Sequence, residues 1–170
     1  MSYTTSYGQP QGIPYIFTNK IREAMISEII AINGYADHIA NSNMEEINTA
    51  WETIMEAEKR HYGMFLRLLR KYDPHQYENY ESHDGVKCGP KSSMQEYKPQ
   101  YDKQIILNNV RLDIKGELEA VILYEQQFVD IPCEDIRHLF YLISNEEKGH
   151  LEHLTQLLIK YDTTNDDCLE

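Results

Sequence analysis

Displaced by 89 residues, the sequence falls on itself without a gap: between 21–73 and 110–162, 15 of 53 positions are identical. Chance would match only a few. The matches include Arg22 with Arg111, Ala31 with Ala120, Ile47 with Ile136, and the tripeptide KYD at 71–73 and again at 160–162. Each copy holds two segments of helical periodicity, so the repeating unit is a helical hairpin. A lone hairpin cannot bury its apolar face, and two copies satisfy each other by packing with a pseudo-twofold relation. The expected helices run over 17–40, 45–72, 104–129 and from about 131 to 161, and strand-like alternation is absent, so the fold class is all-α. A capping box of Ser42 with Glu45 should open the second helix, and Pro132 should lie in the first turn of the last. The hairpins 17–72 and 104–162 flank a long connection, 73–103, rich in Tyr, Pro, Gly and Ser. It has the length to cross a bundle of four helices from end to end. Residues 1–16 and 163–170 read as tails.

The apolar rows contain residues that do not belong in a core. In the second helix the row is 47, 51, 54, 58, 61, 65, 68, 72, and it includes Glu58 and His61. In the fourth, the row from 136 to 161 includes Glu147 and His150, and the rows of the first and third helices include Glu28 and Glu117. All six fall in register under the repeat. The periodicity therefore directs four carboxylates and two imidazoles into one interior. An isolated buried carboxylate is severely destabilising unless paired, hydrogen-bonded or protonated, and four together repel one another. No Lys or Arg lies on these rows near mid-bundle. Two divalent cations would balance four carboxylates, with neutral imidazoles completing the coordination, and this donor mixture favours iron, manganese or zinc over magnesium or calcium. Glu-x-x-His sets both groups on one helix face, so the imidazole can serve one metal while the carboxylate reaches a second. Tyr35 and Tyr124, seven residues after Glu28 and Glu117, stay on the same face. A buried phenol needs an acceptor, and a ligand carboxylate is the nearest one. Glu119, Glu146 and Glu152 fall off the rows and read as solvated, while His38, His75, His83, His138 and His153 have no repeat partner and read as surface or structural.

Net charge excludes one class of partner. At -12 the chain lacks the positive footprint that phosphate binding needs, so no nucleic-acid role is expected. No apolar run spans a bilayer and no leader-like apolar region opens the sequence, so no membrane role is expected. Cys88, Cys133 and Cys168 are odd in number and far apart, which argues for a reducing, cytoplasmic setting and against a disulfide framework.

One Glu from each of two helices with Glu-x-x-His from the other two resembles the ferritin-like di-iron carboxylate proteins. Within that group the chain is most similar to the rubrerythrins, over roughly residues 17–162. The resemblance implies a ferritin-like four-helix bundle of two repeated hairpins joined by a long crossover. It makes Glu28 and Glu117 terminal ligands, Glu58 and Glu147 bridges, and His61 and His150 one imidazole for each of two iron ions. It implies an oxidoreductase that reduces hydrogen peroxide or dioxygen, working as a homodimer or larger homo-oligomer. Two departures stand out. No C-x-x-C pair of a rubredoxin module is present, so electrons would come from a separate carrier protein, and Ala120 stands where rubrerythrins usually carry a further Glu. The alternatives are a ferroxidase or iron-handling protein, a manganese-catalase-like enzyme, and a non-catalytic coat-type protein, the last suggested by 13 tyrosines.

Overall fold

The computed structural model describes residues 17–81, 99, 101–129 and 131–162. The tails, most of the connection, and with them Cys88, Cys168 and His83, lie outside the described residues. The described residues form five helices, with no strand among them: α1 (Phe17–Ala40), α2 (Glu45–Tyr72), α3 (Pro74–Glu81), α4 (Lys103–Val129) and α5 (Glu134–Tyr161). None of these helices is long and apolar enough to cross a membrane.

Helix ends follow local chemistry and correct two expectations. The Ser42–Glu45 capping box does not form. Ser42 belongs to the exit from α1, where its backbone N–H donates to Ile39 at 3.3 Å and its hydroxyl accepts from the Met44 N–H at 3.1 Å. Met44 is thereby the residue that precedes α2, without a side-chain cap. Likewise Pro132 lies before α5 rather than in its first turn, because Arg137 reaches back to the carbonyls of Ile131 and Pro132, at 2.7 and 3.0 Å. The third long helix, α4, is capped by Asp102, whose carboxylate accepts from the N–H groups of Gln104 and Ile105 at 2.8 and 3.0 Å. The connection is not wholly irregular, since α3 occupies its start. Asp73 closes α2 with its N–H on Leu69 and accepts from the Gln76 N–H at 3.3 Å, and Pro74 takes the first helical position.

The four long helices pack as two hairpins, α1 with α2 and α4 with α5, joined through α1 against α4 and α2 against α5. The repeat extends to the ion pairs at the hairpin ends: Arg22 binds Asp73, and Arg111 binds Asp162. It extends also to the core, which is split in two. One cluster holds Ile21, Phe65, Leu69, Tyr124, Ile136, Phe140 and Ile143. The other holds Val110, Leu154, Tyr35, Ile47, Trp51 and Ile54, each of them the counterpart of a residue in the first at the repeat offset. The first gathers the start of α1 and the end of α2, the second the end of α1 and the start of α2. The residues between them along each helix are the out-of-place Glu and His. The bundle is therefore apolar, polar and apolar again along its length.

Candidate metal centre

Each long helix contributes to the middle layer. Glu28 and Tyr35 come from α1, Glu58 and His61 from α2, Glu117 and Tyr124 from α4, and Glu147 and His150 from α5. The four carboxylate residues are between 1% and 4% exposed. The six ionisable side chains form two overlapping groups whose donor atoms lie within 4.8 Å of one another: Glu28, Glu58, His61 and Glu147, and Glu58, Glu117, Glu147 and His150. Glu58 and Glu147 belong to both. His61 Nδ1 lies 3.1 Å from Glu147, 3.4 Å from Glu58 and 3.9 Å from Glu28. His150 Nδ1 lies 2.9 Å from Glu147, 3.1 Å from Glu58 and 3.7 Å from Glu117. The two imidazoles face each other, 6.0 Å apart with planes inclined by 24°. These groups could hold a metal ion.

The phenols act across the repeat. Tyr124 donates to Glu28 at 2.6 Å, and Tyr35 donates to Glu117, so each tyrosine grips the carboxylate of the other hairpin. This swap follows from α1 and α4 running antiparallel, which brings the residue seven positions after one Glu level with the other Glu. Burial and the adjacent carboxylates push both phenols well above their usual range, so they stay protonated and act as donors.

Proton affinities within the cluster are far from ordinary. Burial, with Glu58 alongside, raises Glu28 well above the usual carboxylate range, and burial pushes Glu117 up to about 8. Burial also acts on Glu58, but the nearby His150 and His61 imidazoles outweigh it and hold that carboxyl below the usual range. Burial lowers both imidazoles, yet the surrounding carboxylates win, lifting His61 to about 10 and His150 to about 12. Protons can thus neutralise the cluster, but they do not satisfy it. Glu58 Oε1, Glu147 Oε1 and His61 Nδ1 are buried with no hydrogen bond of acceptable geometry. Each such atom is destabilising by about 1–3 kcal/mol. Orphaned oxygens from the two shared carboxylates and an orphaned imidazole nitrogen, turned toward one centre, suit a cation that accepts both oxygen and nitrogen donors.

One contact was not foreseen from the sequence. Glu146, expected to be solvated, stands off the buried row of α5 but reaches α2, where its carboxylate meets His61 Nε2 at 3.1 Å and pairs with Arg60. Of the other two, Glu152 is exposed and Glu119 pairs with Lys115 at 2.5 Å. His38 is structural: its Nδ1 lies 3.0 Å from Asp113 and its ring is tilted against Trp51.

No family model and no curated protein matches the chain. It is similar to a solved structure described as a hypothetical protein from Pyrococcus furiosus, with a TM-score of 0.67 and 19% identity over 86% of this chain and 92% of that one. That likeness concerns the fold alone.

Proposed function

We propose that the chain is a ferritin-like bundle of two repeated hairpins carrying a dinuclear metal centre, and that it is a rubrerythrin-like oxidoreductase reducing hydrogen peroxide or dioxygen. The observation that carries this reading is the sharing of Glu58 and Glu147 between the two four-residue groups. Shared carboxylates between two sets of terminal donors suit two cations side by side. Glu28, Glu58, His61 and Glu147 would hold one, and Glu58, Glu117, Glu147 and His150 the other. The charges of two divalent cations and four carboxylates cancel, which removes the burial problem that the sequence poses. Iron fits the mixed oxygen and nitrogen donors, a property it shares with manganese and zinc.

Bound iron would supply the electrons that cleave an O–O bond. The chain's own residues set the conditions. The apolar clusters on either side exclude bulk water and strengthen electrostatic interactions within the layer. Tyr35 and Tyr124 orient Glu117 and Glu28. Protons bound to the cluster leave as cations bind, because ligating imidazole must be neutral and ligating carboxylates ionised. No side-chain nucleophile is required. Reducing equivalents would come from a separate electron-carrier protein, and the active species would be a homodimer or larger homo-oligomer.

The test is anaerobic loading with ferrous iron, elemental analysis, and rapid mixing with hydrogen peroxide. We expect about two irons per chain and oxidation within seconds, followed by absorbance. Iron that binds but is indifferent to peroxide would overturn the oxidoreductase reading, and failure to bind iron, manganese or zinc would overturn the metal centre itself.

A further inference from the structure

The two halves of the cluster are related by the repeat but differ in how they are enclosed. The His61 side chain has no exposed surface, whereas that of His150 is 15% exposed. The cause lies in two positions. Glu146 accepts from His61 Nε2 across the α2–α5 boundary and is itself paired with Arg60, although its side chain is 42% exposed. At the repeat offset, Glu146 corresponds to Ala57 and Arg60 to Gly149. Ala57 offers no acceptor to His150 Nε2. Gly149 has no side chain to lay over the ring as Arg60 does, and a Cβ added there would meet nothing within 4 Å. One imidazole is oriented and roofed by an ion pair; its counterpart has neither.

We infer that the cluster contains two unequal cation positions. The one built on His61 binds a divalent cation first and tightly, and the one built on His150 is the exchangeable position through which cations pass between solvent and the interior. This rests on the dinuclear reading above. A carboxylate on the far nitrogen of a ligating imidazole fixes its tautomer and raises its basicity, and losing such a partner typically weakens metal affinity by about 10–100-fold. Glu146 is a positioning residue: it acts through His61. Of the two imidazoles, only that of His150, beside Gly149, has surface open to water.

The probe is cobalt(II) added to metal-free full-length protein, followed through its visible ligand-field bands, with release measured after adding excess EDTA. The wild-type protein should bind in two resolved steps and release one ion well before the other. E146Q should weaken the tight step by about 10–100-fold and leave the weak step where it was, and E146D should restore most of the loss. H150Q should abolish the weak step alone. G149R, which supplies the bulk found at the equivalent position, should slow release of the weakly held ion. Two ions bound in one step, or E146Q weakening both equally, overturns the inequality while the metal centre stands. Failure to bind cobalt at all overturns both.

Discussion

A glutamate buried to within a few per cent of completion cannot remain an uncompensated anion, and here four of them share one layer with two imidazoles. With protons as the only counter-charge, the layer ties stability to pH. His61 has its affinity raised from 6.5 to about 10 in the folded protein, so its contribution is complete below about 6.5 and is lost as the pH rises through about 10. Glu117, raised from 4.5 to about 8, acts with the same sign over a lower window. Glu58 is lowered and has the opposite sign, contributing above the usual carboxylate range and losing that contribution on acidification. Metal-free protein should therefore be most stable near pH 5 and should melt at progressively lower temperature up to pH 10, by circular dichroism. Metal-loaded protein should not show that decline, since its ligands are already deprotonated. A melting temperature that is flat for the metal-free form would show that the cluster is not protonated as described. These residues were legible because charge on a row of period 3.6 contradicts burial, and because the contradiction occurs twice at one offset. Glu146 was not legible as a partner of His61. It lies one position off the row, and its contact depends on how α5 faces α2, which no local pattern records.

The helices combine strong cues with ones that fail. The long helices were legible from their apolar rows, and Phe17–Ala40 and Glu45–Tyr72 begin and end where the periodicity does. The starts of the elements were harder. Ser42 followed by Glu45 has the spacing of a capping box, but the turn out of α1 uses the serine first. The pair Asp73–Pro74 was a readable start for α3, hidden because it lies inside a segment otherwise rich in turn formers. Within α2, Gly63 has no visible purpose. It is exposed in mid-helix, and a Cβ there would meet nothing within 4 Å. Replacing Gly63 by Ala should stabilise the protein by about 0.5–1 kcal/mol, because alanine loses less backbone entropy on entering a helix. Chemical denaturation checks this, and a destabilised G63A would reveal a contact that the helix face does not display.

At the scale of the whole molecule, two apolar clusters enclose the polar layer, and both hairpins contribute to all three. A ligand that binds only this folded arrangement stabilises it by mass action, by about 4 kcal/mol when its free concentration is a thousand times its dissociation constant. Adding EDTA to metal-loaded protein should accordingly lower the melting temperature by several degrees or more, and restoring iron, manganese or zinc should reverse the shift. An unchanged melting curve on chelation would mean that the layer gains nothing from cations. The crossed grip of Tyr35 on Glu117 and Tyr124 on Glu28 has one more consequence. Severing the chain between the hairpins would leave two fragments, each owning a full complement of one phenol, two acids and one imidazole, yet neither able to hide them alone. Each fragment would be driven to find a companion, and a second copy of itself would offer the same handholds as its lost sibling.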